Sequence, residues 1–135
     1  MIDTGHRTDS LTQAVARLSA MYRALPESKL LGRLPDGRSR AEAGHRFAAL
    51  LATFGQGVEE RVRDVPPAWR RLPFDGHFVV GDQIAVVGHD LAAGIESLAD
   101  LDELVWTAEG ARVTAGELVA VAVREASALR AVAGR

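Results

Sequence analysis

Apolar residues recur at spacings of three and four along most of this chain, and three such stretches open on one four-residue signature. Ser10-Leu11-Thr12-Gln13, Ser39-Arg40-Ala41-Glu42 and Thr114-Ala115-Gly116-Glu117 all fit the pattern S/T-x-x-E/Q. In it, a hydroxyl and a carboxylate or amide satisfy backbone N–H groups that a helix start leaves unpaired. Starts of this kind, followed by apolar stripes, leave a chain few options other than amphipathic helices packed on one another.

Four helices are predicted on this basis, over about 10–25, 39–64, 78–99 and 114–132. Leu11, Val15, Leu18, Tyr22 and Leu25 form the apolar stripe of the first, and Pro26 ends it or opens a short second turn. Phe47, Leu50, Leu51, Phe54, Val58 and Val62 supply the buried face of the second, which Val65-Pro66-Pro67 stops. The third is open to two readings. Gly81-Asp82 between β-branched runs suits a hairpin turn. Val80, Ile84, Val87, Leu91, Ile95 and Leu98 nevertheless keep helical spacing, so helix is the expectation. Between Val105 and Val113 the sequence suits a short hairpin or an irregular turn around Glu109-Gly110. The fourth helix is expected to bury Leu118, Val121, Ala122, Leu129 and Val132.

The architecture that follows is all-α: a single domain over 1–135, an antiparallel four-helix bundle or close variant with a long Pro-rich loop and one short hairpin. Two stripes of small residues, Gly44/Ala48/Ala52 and Gly81/Ala85/Gly88/Ala92, allow close backbone approach, either in the core or across a two-fold interface. Residues 118–123 are apolar nearly all round, more than one small bundle covers, so a homodimer is expected.

Composition removes several function classes. The chain has 135 residues and no cysteine, which excludes disulfide scaffolds, thiol nucleophiles and thiolate zinc sites. Its formal net charge is −2, with no dense basic helix, so nucleic acid is not an expected partner. The opening MIDTGHRTDS is too polar for a secretory leader and no apolar run approaches the roughly 18 residues of a membrane span, so a cytoplasmic protein without membrane contact is expected. No Walker, dinucleotide-binding or G-x-S-x-G run is present. Charge is uneven along the chain. Residues 1–71 carry 12 basic and 8 acidic side chains, a formal +4, while 72–135 carry 4 and 10, a formal −6. The simplest reading is that the halves fold against each other; a contact between subunits is the other.

Two short runs resemble known families. Thr8-Asp9-Ser10-Leu11 contains the D-S-L run of the phosphopantetheine attachment site in acyl carrier proteins, which implies a modified Ser10. Only nine residues precede that serine, where the family places a helix and a long loop, so Ser10 is read as a helix cap. Gly88-His89-Asp90-Leu91 resembles the late-helix H-x-x-D-L pattern of metal-dependent bundle enzymes in the DinB and mycothiol-transferase group. That resemblance implies one divalent metal held by His45, His89 and an acid, Asp82 or Asp90. The group uses three histidines at set positions, and His89 has no histidine four residues on. His6 and His77 are the remaining histidines. Without a metal, Asp82, His89, Asp90 and Glu59 are the candidates for acid–base work, with Asp82 and His89 two helical turns apart on one face.

The Pro-rich loop 65–77, VPPAWRRLPFDGH, holds the strongest binding candidates. Trp69, Arg70, Arg71 and Phe74 offer stacking and charge-assisted bonds to a carboxylate, a phosphate or a partner peptide. The plainer alternative is that Trp69 and Phe74 plug the bundle while the arginines pair with Glu59, Glu60 or Asp64. The function expected is a non-catalytic helical module without a cofactor, binding a protein partner or a small apolar acid. The alternative is the metal-dependent enzyme.

Overall fold

Helices form where the three-and-four spacing places them, with ends set by side chains the pattern alone does not select. The structure is a computed structural model describing residues 7–135; His6 and the start of the chain lie outside it. Its helices are α1 (Asp9–Ala24), the single turn α2 (Glu27–Leu30), α3 (Arg40–Glu59), α4 (Val80–Glu96) and α5 (Ala115–Ala133). A 3-10 turn, His77–Val79, leads into α4, and strands β1 (Leu104–Trp106) and β2 (Arg112–Thr114) join α4 to α5. The fold is a helical-bundle variant carrying one small antiparallel hairpin.

Two of the three predicted caps form. Ser39 accepts the Glu42 backbone N–H at 3.0 Å, and Thr114 accepts that of Glu117 at 3.2 Å. Ser10 does not cap. The helix begins one turn's edge earlier, with Thr8 as the flanking residue, and Ser10 lies exposed in the first turn. Thr8 makes no cap bond; its hydroxyl donates to Glu96 at 2.8 Å and ties the start of α1 to the end of α4. The second helix ends at Glu59 rather than 64, before the prolines.

Inter-helix contacts fix the directions. On α1 and α4, Ser19 and Arg23 lie against Gly81, Val15 against Gly88, and Thr8 against Glu96, so the two are antiparallel. On α3 and α4, Gly44 meets Val80, His45 meets Gln83, and Val58 meets Gly94, so this pair is parallel. Arg40 at the start of α3 reaches the Ala133 carbonyl at the end of α5, an antiparallel pair. Met21 near the end of α1 touches Gly134, just beyond α5, a parallel one.

A parallel α3–α4 pair needs a connection that runs the full length of the helices. Twenty residues of α3 span roughly 30 Å, and residues 60–76 make the return journey. That explains the length of the Pro-rich segment and its extended, non-helical chemistry. Helix packing runs mainly between two halves of the chain: α1 and α3 each pack on both α4 and α5. The core they share is one cluster, with Leu11, Leu18, Leu51, Ile84, Leu91 and Ile95 fully buried.

The small-residue stripe on α4 serves that core. A Cβ on Gly88 would sit 2.4 Å from Val15, and one on Gly44 within 2.8 Å of the Tyr22 ring. Residues 118–123 are also better covered than expected. Leu118, Val119 and Ala122 are buried, Val121 and Val123 half-buried. Along the rest of α5, Ala126 and Ala133 are buried where Leu129 and Val132 are only partly so.

The hairpin pairs Val105 with Val113 and Trp106 with Arg112, turning at Gly110 with φ 81°. Trp106 is 7% exposed, its indole N–H donates to the Arg63 carbonyl at 3.2 Å, and the Arg112 guanidinium lies 4.2 Å from its ring centroid. One correction concerns the membrane. The 20-residue stretch His77–Glu96 contains an 18-residue window of mean hydropathy 1.3, enough by length and composition to cross one. In the fold it packs between α1 and α3, and Asp82, His89 and Asp90 are exposed along it.

Candidate functional site

The return path of residues 60–76 builds a groove between itself, α3 and α4. Its volume is about 660 Å³. Leu51 and Val58 of α3, Val87 of α4 and Leu72 of the crossing segment supply its apolar lining, and Gly55 and Gly94 leave bare backbone on either side. Glu59, Arg61, Arg70, Arg71, Asp90, Gln56 and Ser97 supply the polar lining.

Most of those polar groups are already engaged. Gln56, 4% exposed, holds the crossing segment in place. Its Nε2 donates to Ala68 O at 2.8 Å and to Glu60 at 2.6 Å, and its Oε1 accepts the Arg70 backbone N–H at 2.9 Å. Arg70 pairs with Glu59 at 2.8 Å, both side chains about two-thirds exposed, a bond of modest worth in water. Arg61 donates to Glu103 at 2.7 Å and to Val58 O at 3.0 Å. The Ser97 hydroxyl donates to Gly94 O at 2.6 Å. Among the described residues, neither Arg71 nor Asp90 has a side-chain hydrogen bond or ion pair. The groove therefore offers, among the described residues, one uncommitted cation, one uncommitted anion and apolar surface from Ala52, Leu72 and Val87.

The residues singled out in the sequence divide among three places. Arg70 and Arg71 line the groove, and Asp90 joins them from α4. Trp69 is half-buried and lies outside that lining. Phe74 is 51% exposed and meets the edge of His45, ring centroids 5.2 Å apart, so it does not plug the bundle. His45 donates or accepts at Nδ1 with Gln83 Oε1 at 3.1 Å, and Gln83 Nε2 donates to Pro73 O at 2.9 Å, a second clasp on the crossing segment. Asp82 faces the other way, bonded to Arg23 of α1 at 2.7 Å, and His89 lines a separate cleft with Thr12, Ala16 and Ala92.

No family model, curated protein or solved structure matches the chain.

His45, which meets α4 from α3, and His89, which lies on the α1 side of α4, are thus on opposite flanks of that helix. Among the described residues no group of three or more His, Asp or Glu side chains converges as metal ligands would. The set named for the metal reading, His45, His89, Asp82 and Asp90, is not brought together.

Three clearly shifted acidities lie elsewhere and describe the scaffold. Burial pushes the Tyr22 phenol well above its ordinary value; its hydroxyl donates to Arg40 O at 2.6 Å. The bond from Arg61, then the Ala99 backbone N–H, hold Glu103 below the usual glutamate range. The Arg38 backbone N–H lowers Asp36.

Sequence reasoning missed Gln56, Gln83 and Arg40. Arg40 donates to the carbonyls of Ala133 and Arg135, satisfying the end of α5. Gln56 had one visible signal, a polar residue between two glycines inside a helix. Which segment it would grip depends on the route of the crossing chain.

Proposed function

We propose that this protein is a non-catalytic binding module whose α3–α4 groove receives a small acid with an apolar body. The supporting observation is Arg71, a guanidinium with no partner among the described residues, at the rim of a groove of about 660 Å³ with mixed polar and apolar lining. A volume in the ~300–1,000 Å³ range suits a compact organic ligand, and a guanidinium orients a carboxylate by two parallel bonds. The sequence alone offered a protein partner equally; a groove lined by two helices and the crossing segment favours the small molecule.

The test is a titration with octanoate, followed by amide chemical shifts. Binding should perturb residues lining the groove, and Arg71→Ala should weaken it by roughly 1–2 kcal/mol while leaving thermal stability nearly unchanged. Equal affinity of wild type and Arg71→Ala would remove the assignment.

A homodimer is part of the same proposal. Its support is the solvent side of the α4 segment, where Phe78 is 66% and Val86 60% exposed, with Phe74 at 51% close by in sequence. Phe78→Ser with Val86→Ser should convert a dimer to a monomer in light scattering. A wild-type chain that is monomeric at tens of micromolar ends this part of the proposal and leaves the groove untouched.

A further inference from the structure

We infer that the groove's ligand carries both charges: a short apolar peptide with a free ammonium at one end and a free carboxylate at the other. The inference rests on the binding role proposed for the groove and adds the chemical class of the occupant. It starts from a count of commitments. Glu59, Arg61, Arg70, Gln56 and Ser97 all have partners within the protein, while Arg71 and Asp90 have none among the described residues.

These two opposite charges line one groove from different elements, Arg71 from the crossing segment and Asp90 from α4. They do not pair with each other, since no contact within 4.0 Å joins them. A simple fatty acid satisfies Arg71 and leaves a carboxylate, Asp90, beside its own. A short peptide carries both charges, separated along its backbone, and lays apolar side chains on Ala52, Leu72 and Val87.

Gly55 adds an independent observation. It lies inside α3 and lines the groove, yet an added Cβ would meet nothing within 4 Å. No packing inside the protein explains a glycine there, whereas Gly44, Gly57 and Gly88 are each required by a close neighbour. What Gly55 provides is open space and an accessible backbone facing the groove.

The full-length protein is titrated with trileucine bearing free ends, with its N-acetyl and C-amide forms, and with octanoate, each followed by amide chemical shifts. Free trileucine should bind tightest, and blocking either end should weaken it about tenfold. In Asp90→Asn acetylation should cease to matter, and in Arg71→Ala amidation should cease to matter. Gly55→Leu, which fills open space, should fold normally and abolish binding.

End-blocked peptides that bind as well as trileucine, or octanoate that binds the groove as tightly, overturn the two-charge inference and leave the acid-binding role standing. Absence of any shift in the groove with all four probes overturns both. Trileucine binding that survives Gly55→Leu also overturns both, because the ligand then sits elsewhere.

Discussion

Gly55 and Gly57, two residues apart on α3, have opposite reasons to be small. The Gly57 Cα faces the hairpin so closely that a Cβ would sit 2.0 Å from the Trp106 backbone oxygen, and a backbone cannot swing aside as a side-chain tip can. Gly57→Ala should therefore destabilise the fold by roughly 1–3 kcal/mol through forced displacement of β1. Gly55→Ala meets open space and should stabilise by up to about 1 kcal/mol, the ordinary helix preference for alanine over glycine. Thermal melts of the two variants should move in opposite directions, and parallel shifts would contradict this placement of the helix. The sequence displays both glycines but assigns neither a role, since each depends on what arrives from outside the helix. The same holds for the proposed site. Arg70 and Arg71 are visible as loop cations, whereas Asp90 and Gln56 become their neighbours only through the path of residues 60–76.

Element ends follow local chemistry where no distant group competes. Ser39 and Thr114 cap as their four-residue signatures indicate, so Ser39→Ala and Thr114→Ala should each cost about 1 kcal/mol in urea unfolding. Ser10→Ala should change stability by less than about 0.5 kcal/mol, because the exposed hydroxyl makes no cap bond. The signature there is outvoted by Thr8, which ties α1 to Glu96 across the bundle, and a local pattern carries no record of Glu96. Helix existence was legible because the apolar face repeats over several turns; the caps were legible in two of three cases.

Glu103 fastens the lower ends of α3 and α4 through Arg61 and the Ala99 N–H. Those bonds lower its pKa in the folded state, so the unfolded chain takes up a proton at higher pH than the fold does. Its contribution is complete above the ordinary glutamate range and fades as pH falls through the lowered folded value. With both partners partly exposed, the effect is modest. Glu103→Gln should lower the melting temperature at pH 7, and the gap from wild type should close as the solution is acidified through that window. A gap that stays constant would mean the carboxylate is not held as described.

On the scale of the molecule, the charge asymmetry read in the sequence acquires a structural meaning. Dividing the chain in the crossing segment gives 1–64, with 10 basic and 8 acidic side chains, and 65–135, with 6 and 10, formal charges of +2 and −4. These pieces interlock: α1 and α3 pack mainly against α4 and α5 rather than against each other, meeting around Tyr22, Gly44 and Arg40. The crossing segment was visible as a Pro-rich loop; that it makes α3 and α4 parallel was not, since loop length permits either direction. The two pieces, produced separately, should each show little cooperative unfolding and should regain a single melt when mixed, more weakly at high salt. Cooperative melting of either alone would contradict the interlocked core.

Interlocking also sets a timetable for synthesis. The first sixty-four residues leave the ribosome with Leu11, Leu18, Leu51 and Val58 on their surfaces, and the faces that cover them are not yet made. At ordinary elongation speeds, the remaining chain takes roughly 4–14 s to arrive. For that interval the nascent chain is a client for holding chaperones, and burial completes only when α5, the last helix, closes on both earlier ones.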